Sequence, residues 1–290
     1  VLFGGSRFGG FSGLHLDTED SMLTALSDRA FVMRLPITLD DGGRITDLGQ
    51  ATILPVEKDG GAPLEKGEAD LEEIHPDKDG WLITREGRHD AARLHLHDAA
   101  ATLGDVLVDL SDTPALRSNK SFEAAALLSD GSWIFLSEGK TKEGHAPARH
   151  WDGKTAASSF GYLPAPGFAV TGATADPKDG WVYVLERAFD RKLGPRARVA
   201  RFRATDLIEG ALIEPIELLR FGFLEGADNM EGISFYEARD GSDNLALISD
   251  DNFSDLQRTV LITFKLGVCP STPAEAAAGA DQTAQGSIDE

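Results

Sequence analysis

Acidic residues recur at two matching places in this sequence, and their spacing suits a shared oxygen-donor site. Five short apolar runs begin at Phe11, Leu71, Phe122, Val170 and Met230, and their second positions are Ser12, Glu72, Glu123, Thr171 and Glu231. A second run follows each after a turn, and near its end stand Asp28, Glu86, Glu138, Glu186 and Asp250. This second set is acidic in all five copies, although Asp and Glu make up only 48 of 290 residues. Antiparallel pairing of the two runs would bring both sets to one rim, with eight carboxylates together. Burial and mutual repulsion both oppose ionisation of such a crowd. Relief can come from protonation, from Arg29, Arg85 and Arg187 nearby, or from a hard cation. Ca²⁺ takes about six to eight oxygen ligands and favours carboxylates. Glu72, Glu123, Glu231, Asp28, Glu86, Glu138 and Asp250 are therefore candidate calcium ligands. A purely structural role, in which the acids cap strand ends or pair with arginines, stays open beside this one.

Such a ring can hold a cation that meets an anionic substrate, with a carboxylate beside it as a base and arginines as counter-charges. Glu186 or Glu231 would take a proton from the attacking water, while Arg187 and Arg29 would stabilise charge on the transferred or leaving group. The expected partner is a small anionic molecule reached through a bound cation. Other chemistries have less support. No G-x-S-x-G elbow, P-loop, H-E-x-x-H or C-x-x-C occurs, and the His95-x-His97 pair lacks a third ligand at a defined spacing.

The elements that must position these residues form a repeat. Its copies start roughly 50 to 60 residues apart, the size of a four-stranded propeller blade. Within each copy the two runs are joined by a turn rich in Asp and Gly, such as Asp77–Gly80 or Asp176–Gly180, which suits antiparallel hairpins. Trp81, Trp133 and Trp181 open three of the second runs, where blade packing explains them better than sugar stacking. Outer strands are expected at 31–37, 45–54, 93–97, 106–110, 198–203, 213–221 and 259–266. Residues 145–166 are poorly patterned, either the exterior of the third blade or a long surface loop. The expectation is one all-β domain over 1–268, a β-propeller of five blades with four antiparallel strands each; six blades are the alternative. Val1–Phe3 would close the ring by completing the last blade. Residues 269–290, low in large apolar side chains, read as a disordered tail.

Composition narrows the partners. The formal net charge is −20, which argues against nucleic acid or an anionic membrane surface. No apolar run approaches the roughly 20 residues a membrane helix needs. Cys269 is the only cysteine, so no internal disulfide is possible. The sequence starts at Val1, and any secretory leader would lie outside it.

Several motifs carry a family resemblance. Phe8-Gly-Gly-Phe-Ser-Gly-Leu14, Leu26-Ser-Asp-Arg29, Tyr183-Val-Leu-Glu-Arg187, Asp228-Asn-Met-Glu-Gly-Ile233 and Ser249-Asp-Asp-Asn-Phe253 together resemble the phytase-like family, described by "esterase-like activity of phytase". The likeness runs from about Phe8 to Leu266. It implies a bacterial, exported β-propeller, periplasmic or secreted, described by similarity as a phosphoester hydrolase; the expectation built on it is Ca²⁺-assisted hydrolysis of a small anionic phosphate or carboxylate ester. In the third repeat Asn119 and Glu123 keep the family pattern. The second repeat departs from it, since Leu71-Glu-Glu-Ile74 has Glu where Glu-Gly is usual. A non-catalytic binding propeller with structural metal, and a lactonase-like sugar-acid hydrolase, remain the competing readings.

Overall fold

The computed structural model describes residues 8–65, 67–113, 116 and 120–267. The expected closing strand Val1–Phe3, Asn119, Cys269 and the tail at 269–290 lie outside them. Strands form because short apolar stretches rich in β-branched and aromatic residues alternate with Asp/Gly turns. The first group is β1 (Phe11–Asp17), β2 (Met22–Ser27), β3 (Phe31–Leu39), β4 (Ile45–Leu48) and β5 (Thr52–Glu57). Next come β6 (Leu71–Asp77), β7 (Gly80–Arg85), β8 (Asp90–Leu96) and β9 (Ala101–Asp109). The third group is β10 (Phe122–Leu127), β11 (Trp133–Ser137), β12 (Ala146–Trp151) and β13 (Ser158–Tyr162). The fourth is β14 (Ala169–Ala175), β15 (Trp181–Asp190), β16 (Gly194–Arg203), β17 (Leu212–Ile213) and β18 (Ile216–Gly222). The last group among the described residues is β19 (Met230–Glu237), β20 (Asp243–Ser249) and β21 (Leu261–Lys265).

Within each group the strands pair antiparallel from the inside outwards, with β5 on β3 beside the side branch β4, and β18 on β16. Two connections depart from the all-antiparallel expectation: β5 pairs parallel with β9, and β13 pairs parallel with β17. The first joins two groups into one continuous sheet at their outer edges. The last group has three strands among the described residues. The poorly patterned stretch at 145–166 is the exterior of its group, forming β12 and β13. Its inward face is carried by Ala146, Ala148, Phe160 and Tyr162, and the alanines hide the alternation.

The inner strands β1, β6, β10, β14 and β19 each pack against the next, and β19 packs back on β1. This is a propeller-type arrangement around an axial channel. Five apolar clusters lie between successive groups, and one of them sets Leu14, Leu23 and Met33 against Tyr236, Ala246 and Ile248 from the other end of the described chain. The expected tryptophans serve this packing. Trp133 is buried beside Leu82 and Phe122, and Trp81 and Trp181 cover the edges of other clusters. No helix among the described residues is long and apolar enough to cross a membrane.

Candidate functional site

A bulge near the start of every inner strand builds one mouth of the channel. Phe11 faces Ser27, yet Gly13 already faces Leu26. The same slip separates Phe122 from Ala124, Val170 from Gly172, Met230 from Gly232, and Leu71 from Ile74. In four of the pairs the residue thus released from the ladder is Ser12, Glu123, Thr171 or Glu231; in the second pair Glu72 and Glu73 oppose Thr84 alone. A bulge bends its strand and re-aims the released side chain. Repeated around the channel, it turns Glu72, Glu123 and Glu231 towards one another.

Strand register also revises the second set. Ser27, Arg85, Ser137, Glu186 and Ser249 occupy equivalent pairing positions, and the residues after them are Asp28, Glu86, Glu138, Arg187 and Asp250. The fourth member of the rim is therefore Arg187, and Glu186 points to the other side of its strand. Glu186 is fully buried; its Oε1 accepts from Tyr162 Oη at 2.6 Å and Arg198 Nη1 at 2.5 Å, and its Oε2 from Ala165 N at 3.0 Å. Arg29 stays within electrostatic reach of the rim acids Asp28 and Asp250 and stacks its guanidinium 3.5 Å from the centre of the Phe253 ring. Asp251, next to the rim acid Asp250, ties the two ends of the ring together by accepting from Gly10 N at 3.1 Å.

The remaining acids gather as expected. Asp70, Glu72 and Glu86 each offer an oxygen, all within 4.8 Å of one another. Asp70 was not singled out from the sequence; it immediately precedes an apolar run, one place ahead of the aligned columns. Asp28 Oδ1 is buried without a hydrogen-bond partner. Every donor in this set is a hard oxygen, so the cluster fits Ca²⁺ or Mg²⁺ and offers nothing to a metal that prefers imidazole or thiolate.

Charge crowding shows in the proton affinities. Burial first, then repulsion from Asp250, pushes Asp28 up to about 6. Burial and Asp70 push Glu86 to about 7. Glu231 rises to about 8 through burial, opposed by Arg187 and reinforced by Asp250 and Glu138. Glu72 and Glu123 are held well above the usual range by burial and by neighbouring carboxylates. Arg187 is the central counter-charge. Its Nη1 lies 2.7 Å from Glu231 Oε1, its Nη2 lies 3.5 Å from Glu138 Oε1, and it donates to Asn229 Oδ1. Asn229 in turn donates to Glu231 Oε1 at 2.8 Å. Burial works against the charge on Arg187, but Glu231, Glu123, Glu138 and Asp250 outweigh it and keep the guanidinium protonated. Lys120 supports Glu138 from outside.

Below the mouth the departure in the second repeat becomes meaningful. At Gly13, Gly172 and Gly232 a Cβ would come within 2.9 Å of the backbone of a neighbouring inner strand, so only glycine fits. The corresponding place in the second repeat carries Glu73, whose side chain is fully buried in the channel. Its oxygens accept from Ile74 N at 3.1 Å and Ala173 N at 3.3 Å, with Leu14 and Ala125 amides also bonded to the carboxyl. One carboxyl group thereby stitches β1, β6, β10 and β14. Beneath it, His75 is pushed down to about 4 by burial, so it is neutral near pH 7 and donates from Nε2 to Ala125 O at 2.6 Å. Glu73→Ala should cost about 2–3 kcal/mol, since orphaned buried amides are expensive. The midpoint of urea unfolding measures this.

A family model described as "Phytase-like: Esterase-like activity of phytase" matches residues 6–253. The chain belongs to the phytase-like family. No curated protein sequence matches it. The phytase-like chain superposes on the structure of "Bacteroides ovatus Xyloglucan PUL GH43B" with a TM-score of 0.51 and 11% identity, over 92% of this chain and 55% of that one. It thus spans about half the length of that protein. A PQQ-bound aldose sugar dehydrogenase from Streptomyces coelicolor aligns at 13% identity and a TM-score of 0.49, over 89% of this chain and 95% of that one. At 11% identity the first likeness speaks to a propeller-type fold and not to a reaction.

Proposed function

We propose that this phytase-like protein is a five-bladed β-propeller that hydrolyses small anionic phosphate or carboxylate esters, with Ca²⁺ assistance, at the acidic mouth of its channel. Five inner strands in cyclic contact and five inter-group core clusters support the blade count. One observation carries the function: an all-oxygen cluster at Asp70, Glu72 and Glu86 shares its mouth with the Arg187–Glu231 pair. Bound Ca²⁺ would attract the ester's anionic oxygens and screen the carboxylates. Arg187 orients the same anionic group, leaving its remaining N–H donors for the transferred atoms. Glu231, pushed up to about 8 by burial, accepts a proton from water and can return it to the leaving group. A periplasmic or secreted location belongs to the same proposal and is supported by family membership.

The test follows from the sign of the proton affinities. A carboxyl whose pKa is raised by folding stabilises the folded state at low pH, and that stability is lost as pH climbs through the folded value. For Asp28, Glu86 and Glu231 those values are about 6, 7 and 8. Metal-free protein should therefore melt at progressively lower temperature between about pH 5 and pH 8.5. Ca²⁺ at a hundred times its Kd should return about 2.7 kcal/mol, with the larger rise in melting temperature at the higher pH. Hydrolysis of a panel of phosphate and carboxylate esters should disappear in EDTA. A panel left intact with and without Ca²⁺ would sink the enzymatic reading, and a calcium effect on melting alone would leave a binding propeller with structural metal.

A further inference from the structure

Beside the acidic mouth lies a cavity of about 640 Å³ whose walls differ sharply from its floor. Arg187, Asn229 and Glu138 form the charged side, and Phe189, Pro195, Phe223 and Leu256 are among the residues of the other. Its apolar wall is built by two local devices. The β15–β16 hairpin runs on past Arg187, pairing Ala188 with Arg196 and Phe189 with Pro195, and so stands above the rim. A short turn at Phe223–Glu225 then sets Phe223 against the hairpin at Gly194.

This wall is left open to solvent. Phe189 is 75% exposed, Phe223 51% and Leu256 95%, and Leu193 and Leu224 on the same hairpin and turn are 65% and 94% exposed. Three of the nine large apolar side chains that are exposed among the described residues thus line one cavity, with Leu193 and Leu224 on the adjoining hairpin and turn. Scattered exposed apolar residues need no explanation, but a cluster edged by polar groups marks a binding surface. Among the described residues Arg187 is the only cation lining the cavity, while Glu138 and Asp228 also line it. Arg258 stands outside that lining, 3.7 Å from Asp228 Oδ2 and 6.0 Å from the centre of the Phe223 ring, so within the lining a polyanion would meet one guanidinium and two carboxylates. One anionic group with an apolar body matches both sides.

We propose that the cavity binds amphiphilic monoanionic esters, with the anionic group on Arg187 and Asn229 and an alkyl or aryl substituent lying along Phe189, Phe223 and Leu256. The inference rests on the hydrolase reading only for the word ester; the recognition of an anion joined to an apolar chain stands without it. An apolar wall favours longer substituents because each buried methylene adds to binding. The charged side then fixes which end of the ligand meets Glu231.

Calorimetric titration of the full chain with n-octylphosphonate, methylphosphonate and inositol hexakisphosphate tests this, because none of the three needs to be hydrolysed. Octylphosphonate is expected to bind at least about tenfold more tightly than methylphosphonate. Combined Phe189→Ser and Leu256→Ser substitution should remove that difference while methylphosphonate affinity and melting temperature stay unchanged, both side chains being exposed. Equal affinities for the two phosphonates would overturn the proposal, as would tightest binding of the hexakisphosphate. So would retention on zwitterionic vesicles without binding of monomeric octylphosphonate, which would assign the wall to a lipid surface. Chain-length-dependent binding together with an inert ester panel would uphold this proposal and reject the hydrolase reading.

Discussion

Glu231→Gln is expected to lower ester hydrolysis by about a hundredfold to ten-thousandfold, the range for a lost acid–base group. Folding should survive. The amide keeps the volume of a side chain that is only 7% exposed, and it removes one negative charge from a crowded mouth. Arg187 is not orphaned by the change, since Glu138, Glu123 and Asp250 still surround it. The melting temperature of the metal-free variant at about pH 8 should match or exceed that of the parent, because a raised carboxyl pKa destabilises the ionised fold. Activity retained at more than about half of the parental kcat would remove Glu231 from the chemistry, as that is far outside the acid–base range.

Arg198→Met should cost about 3–5 kcal/mol of stability, because it leaves a buried carboxylate without its counter-charge. Glu186 is fully buried and has three partners, of which Arg198 alone is cationic. Arg198 also holds Glu217 at 2.8 Å, so its loss loosens the outer edge of the same group. Replacing both partners by apolar residues, Arg198→Met with Glu186→Leu, should recover much of the deficit, since an absent ion pair costs less than a broken one. Urea unfolding of the two variants measures the difference. Glu186→Gln should leave kcat near its parental value, separating this structural carboxylate from the ring it adjoins in sequence. A loss as deep as that of Glu231→Gln would overturn the distinction.

These two residues show where reading the chain stops short. Glu186 lines up with the rim acids when copies are matched by type, because Leu-Glu-Arg looks like Leu-Ser-Glu or Leu-Ser-Asp. Pairing register separates them by one position, and one position along a strand reverses the face. Arg187 could be placed near the mouth from its sequence neighbours, yet its bridging of Glu231, Asn229 and Glu138 joins the ends of three strand pairs far apart in the chain. Asp70 and Glu73 went unmarked for different reasons. Asp70 sits ahead of the aligned columns, and Glu73 was visible only as a departure from glycine. Its meaning needed the four strands that surround it.

What the sequence determined by itself is the repeat: five hairpins, their turns, and the columns where acids accumulate. Those follow from local chemistry, since alternation, turn residues and small side chains act within a few positions of one another. Of the bulged positions the sequence marked Ser12, Glu72, Glu123, Thr171 and Glu231, while Glu73, also in the second bulge, stood out only as a departure from glycine. Tertiary structure decided which side chains face the channel, which carboxylate is locked away on Arg198, and how one arginine serves several acids. It also decided that the residue replacing glycine in the second repeat would close the channel floor. Each of these depends on contacts between strands distant in sequence, where a one-residue change of register or a shared partner outweighs any local preference.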